Sequence, residues 1–553
     1  MPLRGGPHKD SEWAMHYLVI ALLLLLVVAL SLIVARILPL PIPLPLIQIV
    51  GGALLGGVFG IKVPLDPEIF FLLFIPPLLF LAGWRIPKGA FFRDLGLIVT
   101  LAVGLVVFTV VGMGFFIFWL VPVMPIAVAF AVAAILAPTD PVAVSVVHGG
   151  SAMPARLEHI LAGESLFNDA SGLDIFRFAV AAAMTGSFSF SQALGGFVWV
   201  AVGGIAVGAG VAFACGYLLR WLVRIGGEDS AIQILVSLLV PFAAYLVCQS
   251  LQVSGILAAA TAGIATHYTS LHGSEMSTTR MDRRAVWNTV QTVLDGIIFV
   301  LLGEQLVSLS EADLSGARHT GLGMVAIYIL AISLVLLLLR FIWVWVSLYF
   351  SRFRRSIPSF STHFVLVSVL SLAGVRGAIT LAGAFSLPLF LPDGSLLPGR
   401  ELALAIAMGV ILVSLLLASV SLPLLLKHLP DTPQLAAIGD ERGARISAAK
   451  AAEQRLIVLR SGIDGHWEHK DIAYEVIDHL LEVYRRRISS DDNESEKEVW
   501  VRARVERNFR LAALAAERKQ LFALRIRREI DDELHRKLVL EVDLVEASLI
   551  SKG

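Results

Sequence analysis

The sequence predicts an all-α polytopic membrane protein of about thirteen transmembrane helices, followed by a charged helical domain. Three observations carry this. Apolar runs of roughly 18 residues or more, long enough to span a bilayer, recur from about residue 15 to about residue 429. Of the 553 residues, 57% are hydrophobic and only 16% are Asp, Glu, Lys or Arg, against roughly 25% charged in soluble domains; the mean hydropathy is +0.80. After Pro430 the composition turns abruptly charge-dense. The formal net charge is zero, so nothing global draws the chain to nucleic acid. Cys215 and Cys248 fall in apolar spans without metal-ligand spacing and read as small core residues. Nothing calls for a cofactor.

Residues 1–14 read as a short extracytoplasmic tail. The run at 15–38 is too long for the apolar part of a signal peptide and reads as a true span. Further spans are read at 43–60, 68–84, 95–122, 125–147, 157–184, 192–223, 229–250, 252–267, 285–309, 320–350, 362–388 and 401–429. One set of alternate loops holds thirteen basic residues, among them Arg85, Lys88, Arg93, Arg156, Arg352, Arg354 and Arg355; the other set holds only Lys62, Arg318 and Arg400. The positive-inside rule therefore puts the N-terminus outside and the C-terminus in the cytoplasm of a cell-membrane protein. Residues 15–430 form the transmembrane domain and 431–553 a cytoplasmic helical tail, read as regulatory, in which Ile472, Val476, Ile477, Leu480 and Leu481 recur at helical spacing. SSDDNESE (489–496) reads as a solvated loop, and the histidines of HWEH (466–469) as surface residues. His148 and His159 lie in a loop near the core, where a histidine titrates at physiological pH; both read as bystanders more than sensors.

Four stretches put polar chemistry inside the apolar spans, where each ionisable group calls for a function and a partner. In ILAPTDPVAVSVV (135–147), Pro138 and Pro141 bracket Thr139 and Asp140. Proline removes a donor and blocks helix continuation, so the fifth span is broken at mid-depth, where unwound backbone is tolerated only if buried or lining a cavity. In GESLFNDASGLDIFRF (163–178), Ser165 and Asp169 share one helix face and Glu164 and Asn168 the next. Oxygen ligands of this kind suit a hard cation. Asp174 lies about 140° around the helix from Asp169, and is three before Arg177, with which it can pair. In SLAGVRGAITLAG (371–383), Gly374 and Gly377 flank Arg376, whose preferred partner is Glu164, with Asp169 or a backbone carbonyl end as the alternatives. The tenth span carries Asp295, a second relay or a packing anchor, and Glu304, which lies roughly 13 Å further along the helix, toward the outer interface. The two broken spans are seven apart and so inverted with respect to each other, the sequence pattern of inverted repeats around a transport site.

PPLLF (76–80), APTDP (137–141), GESLFND (163–169) and GVRGAITL (374–381) together resemble the monovalent cation/proton antiporter family, of the bacterial NhaP and eukaryotic sodium/proton exchanger type. The resemblance covers about residues 15–429 and not the tail. It implies a homodimeric antiporter in which the two discontinuous helices cross, exchanging sodium, or lithium or potassium, for protons. Asp169 then resembles the residue that binds cation and proton alternately, with Asp140, Ser165 and the backbone at Thr139 as further sodium contacts. Asn168 matches the amide beside the essential acid, and Glu164 and Arg376 resemble a structural ion pair. Two departures stand out: Leu81 where many members carry an acid, and Asp174 where an apolar residue is expected. Two other readings use the same residues. A cation channel would use the acids as a selectivity ring. An intramembrane aspartyl hydrolase would pair Asp140 with Asp169, but the proline break and Arg376 fit it poorly, so no enzymatic activity is expected.

Overall fold

The computed structural model describes residues 7–38, 42–63, 66–140, 153–186, 190–227, 229–270, 277–311, 322–350, 360–429, 441–462, 470–489, 496–527 and 529–550. Pro141, His148, Arg318, Arg352, Arg354, Arg355, the HWEH histidines and most of SSDDNESE lie outside them. The chain divides into two compact units, Met1–Ala437 and Ile438–Gly553.

Among the described residues the regular secondary structure of the first unit is all helical, apart from one isolated β-bridge, Phe390 with Leu396. It begins with α1 (Pro7–Ile37), so the helix starts inside the expected N-terminal tail. Then follow α2 (Leu44–Gly57), α3 (Pro67–Arg85), the short α4 (Lys88–Arg93) and α5 (Leu95–Leu120). The chain continues through α6 (Ile126–Leu136), α7 (Ala155–Thr185), α8 (Phe190–Gly226), α9 (Ser230–Leu251) and α10 (Gly255–Ser270). It ends with α11 (Ser277–Glu311), α12 (Leu322–Phe350), α13 (Phe360–Leu372), α14 (Ala378–Phe385) and α15 (Arg400–Leu426). Eight of these, α1, α3, α5, α8, α9, α11, α12 and α15, are long and apolar enough to cross a membrane. Glu164, Asp169, Asp174 and Arg177 keep the 31-residue α7 out of that apolar set.

Local chemistry sets the helix ends near the site. Asp66 caps α3 by accepting from the amides of Glu68 (2.8 Å) and Ile69 (3.3 Å), with Pro67 at the first helical position. A π turn at Thr100–Gly104 in α5 loosens the backbone, and the Thr100 carbonyl accepts from Trp343 Nε1 at 3.1 Å. The outer faces of α1, α8 and α12 expose Leu18, Leu22, Val198, Val202, Leu330 and Leu334. Apolar surface on this scale belongs against lipid. By contrast α6 is buried all round: Ala131 to Leu136 are each 1% exposed or less, which fits an apolar helix surrounded by protein.

Small residues bring the helices close, as lipid-embedded packing requires. A Cβ on Gly303 of α11 would land on the Ile49 carbonyl of α2, and one on Gly52 of α2 on the Val300 carbonyl of α11. Among its described residues the second unit holds four helices, α16 (Glu441–Ser461), α17 (Lys470–Ser489), α18 (Glu496–Ile526) and α19 (Asp532–Ile550). Arg485 pairs with Glu453 at 2.8 Å, joining α17 to α16. Arg518 of α18 meets Asp543 and Glu546 of α19, which hold its guanidinium above its ordinary pKa.

Gly303→Leu is expected to lower the thermal midpoint of the detergent-solubilised protein through overpacking of about 1–3 kcal/mol. Gly89→Ala, where the added carbon meets nothing within 4 Å, is expected to leave it unchanged; differential scanning fluorimetry reads both.

Candidate functional site

The site is built on two helix ends that stop inside the protein. Helix α6 ends at Leu136 and the chain runs non-helically through Ala137–Asp140, because Pro138 cannot continue the ladder. Its continuation, including Pro141, is not among the described residues. The expected twelfth span is two helices, α13 and α14, joined by five non-helical residues, Ala373–Gly377. The two breaks meet: the Asp140 amide donates to the Val375 carbonyl at 2.7 Å. Gly377 allows that approach, since a Cβ there would occupy the position of the Asp140 carboxylate.

A helix that ends in the interior leaves carbonyls without partners and a partial negative charge. Two arginines answer this. Arg376 Nε donates to the Leu136 carbonyl at the end of α6 (2.9 Å), and its Nη1 to the Gly374 carbonyl. Arg340 of α12 donates from Nε to the Leu370 carbonyl near the end of α13 (3.1 Å). The fork of Arg340 also holds Glu164 in a two-pronged pair, Nη1 to Oε1 at 2.5 Å and Nη2 to Oε2 at 3.0 Å. Arg340 and Glu164 are 2% and 1% exposed. Gly374 makes room for this, because a Cβ there would collide with the Arg340 guanidinium.

The expected Glu164–Arg376 pair is therefore corrected. Glu164 belongs to Arg340, and Arg376 takes the alternative role of binding carbonyl ends. Arg340 was missed as a site residue although its signal was present, a lone arginine in an apolar span of 28 residues.

From Glu164 the network continues into the break. Thr139 Oγ1 donates to Glu164 Oε1 at 3.4 Å and accepts from Asn168 Nδ2 at 2.9 Å. Asn168 is thus a fixed neutral group tying α7 to the break. Thr139, Asp140, Ser165 and Asp169 all line one cavity of about 490 Å³. Asp169 is 8% exposed, and among the described residues its carboxylate accepts no hydrogen bond. A desolvated carboxylate open to a cavity and without a fixed donor is a site for an incoming cation or proton.

Asp295 of α11 lines the same cavity, with Leu81 of α3. Beside it, Arg85 is held by Gln291 and by Asn288 Oδ1, the latter at 2.6 Å. His159 lines it too. Glu304 is 0% exposed and lies elsewhere, accepting from the Val63 amide (3.2 Å), Gln305 (2.8 Å) and Ser308 (2.7 Å). It anchors the segment between α2 and α3. Asp174 and Arg177 approach to 4.0 Å, with Arg177 60% exposed, a much looser pair than the sequence spacing suggests. Within electrostatic reach of His159, Asp94 binds Arg156 at 2.7 Å and Arg93 at 3.0 Å. Burial pushes the Asp94 carboxyl up, but these two guanidinium groups outweigh it and hold the carboxyl below its ordinary range.

An all-helical membrane unit with interrupted helices meeting beside buried acids, at the end of a cavity, defines an ion transporter. The chain belongs to the sodium/hydrogen exchanger family: residues 22–428 match the family described as "Sodium/hydrogen exchanger, transmembrane". It is 41% identical over 521 residues to the uncharacterized Na(+)/H(+) exchanger YjcE of Escherichia coli, covering 92% of this chain and 94% of that one. It is 38% identical over 386 residues to the sodium, potassium, lithium and rubidium/H(+) antiporter of Bacillus subtilis, covering 69% of this chain and 57% of that protein. Among solved structures it shares its fold with the sodium proton antiporter MjNhaP1 of Methanocaldococcus jannaschii, with a TM-score of 0.56 at 22% identity over 74% of this chain and 99% of that one. The family resemblance read from the motifs is thereby confirmed. The chain is an integral membrane protein of a cation/proton antiporter family, a family of transporters rather than enzymes.

Arg340→Gln is expected to cost about 3–5 kcal/mol by leaving Glu164 buried and unpaired. Adding Glu164→Gln is expected to recover part of that loss in thermal unfolding. Equal midpoints for the single and double variants would contradict the pair.

Proposed function

We propose that the protein exchanges sodium, or another monovalent cation, for protons by alternating access, one for one and without net charge. Asp169 is the group that binds cation and proton in competition. The observation that carries this reading is the position of Asp169 at the cavity, desolvated and, among the described residues, without a fixed hydrogen-bond donor. Asp140, Ser165 and the backbone at Thr139 complete the sodium site. The Thr139 hydroxyl is already engaged by Asn168 and Glu164, so its carbonyl is the oxygen left for the ion.

The coupling follows from the cost of burying charge. Translocon-insertion scales put an aspartate at roughly 2.5–3.5 kcal/mol at the membrane centre. A proton or a sodium ion each relieves that cost. An empty charged site would therefore cross on the order of a hundredfold less often, and only loaded forms move. Thirteen spans, inverted repeats and crossed broken helices, homodimerisation, an outside N-terminus and a cytoplasmic regulatory tail complete the proposed organisation, in a cell membrane where such exchange serves pH homeostasis. The B. subtilis relative's printed range of sodium, potassium, lithium and rubidium supports a broad choice of alkali cation.

The one-for-one count rests on the charges around Asp169. Asn168 cannot titrate. Glu164 is taken up by Arg340 in a two-pronged pair, and Arg376 is taken up by carbonyls. Of this group only Asp169 is then left to change its load.

Two outcomes are expected in proteoliposomes. Asp169→Asn abolishes sodium-driven proton flux while the protein still folds, because the amide mimics the protonated acid but cannot exchange. With the voltage clamped by potassium and valinomycin, the sodium/proton equilibrium of the parent protein does not move with voltage; a shift would exclude one-to-one exchange.

A further inference from the structure

Helix α7 connects two cavities. The cavity described above is lined by α7 from Glu158 to Asp169, and by none of its described residues beyond Asp169. Further along the same helix a second cavity of about 270 Å³ is lined by Arg177, with Tyr245, Gln249 and Gln252 opposite. Between them Leu173 and Phe176 are 3% and 5% exposed, and Gly172 packs against Pro138 of the break. Asp174 sits in that sealed stretch, five residues and about 7.5 Å of helix rise beyond Asp169.

The Asp174 side chain is 4% exposed, and its Oδ2 is buried without a hydrogen-bond partner among the described residues. Arg177 reaches only to 4.0 Å of the other oxygen and is itself 60% exposed. A structural ion pair buried to this degree needs close, hydrogen-bonded geometry to offset desolvation; this one lacks it. An alkali cation would need several oxygen ligands, and no second donor oxygen bonds Asp174 among the described residues. A proton needs only the carboxylate itself. Among the described residues the charged group facing Asp174 is Arg177 on α7; the titratable Tyr245 on α9 lines the second cavity, with Glu68 at the start of α3 within electrostatic reach of that tyrosine.

We propose that Asp174 is a second proton-carrying carboxyl of the exchange cycle, passing the proton between Asp169 and the cavity at Arg177. This rests on Asp169 being the site of competition. In the conformation that admits water from the second cavity, the Asp174 O–H bond breaks, the proton joins the Asp169 carboxylate, and the cation leaves in its place. Asp174 is reloaded from the Arg177 side. The same single proton is handed on, so the exchange remains one for one. Arg177, 4.0 Å away, favours the carboxylate left behind when the proton departs.

The test uses the full chain in proteoliposomes, with sodium-driven proton flux recorded from about pH 6.5 to about pH 8.5. Asp174→Asn is expected to lose on the order of tenfold or more at the alkaline end, where a positioned proton carrier matters most. At the acid end it stays within about twofold of the parent, because protons are abundant. Asp174→Glu restores the profile. Arg177→Gln, a change on an exposed side chain, moves the profile in the opposite, alkaline direction, because Asp174 then keeps its proton to higher pH. A loss of equal proportion at every pH, or no change in either variant, would overturn the relay. Asp169→Asn run alongside separates the two claims: if it still exchanges, the reading of Asp169 fails, whatever Asp174 does.

Discussion

Two arginines bound to helix ends hold the centre of this protein together. Where α6 and α13 stop, each leaves carbonyls and the negative end of a dipole deep in a low-dielectric interior. Arg376 covers the first and Arg340 the second. Neither cation would be tolerable there alone, and neither helix end would be tolerable without it. Arg340 also binds Glu164, which places α7 against the same junction. The position of Asp169 follows: it is one turn of helix from Ser165 and five residues from Glu164, on a helix clamped at that end.

The clamp also separates fixed charge from exchangeable charge. Arg340, Glu164 and Arg376 are satisfied within the protein and belong to the scaffold. Thr139 and Asn168 extend that network to the break by hydrogen bonds. Asp169 stands beside all of this with no fixed donor among the described residues. A carboxylate left unsatisfied by the protein is one that a small cation can satisfy, so the unmet demand of a single residue is the basis of the proposed coupling.

Much of this was legible in the sequence because the membrane makes polar residues conspicuous. Paired prolines around Asp140, the acids in α7 and Arg376 between glycines stand out from apolar surroundings for definite physical reasons. The identity of partners was not legible. Glu164 and Arg340 are 176 residues apart, and no local pattern says that this arginine, and not Arg376, reaches that acid. Arg340 carries the same signal as Arg376, an isolated arginine in an apolar span, but no glycine or proline stands beside it to mark a break. Glu304 and Asp295 lie on one helix and look alike in sequence. Only tertiary packing puts Asp295 on the cavity and Glu304 on the amide of Val63.

Competition at one carboxylate is the central claim, and the pH dependence of sodium affinity measures it without transport. Titrating sodium into the purified, detergent-solubilised protein by calorimetry at a series of pH values gives an apparent Kd at each. One group binding either ligand predicts that Kd rises about tenfold for each unit fall in pH below the titration point of the site, with one proton released per sodium bound. A Kd that does not change with pH, with no proton released, would mean that cation and proton occupy different sites, and would contradict the account.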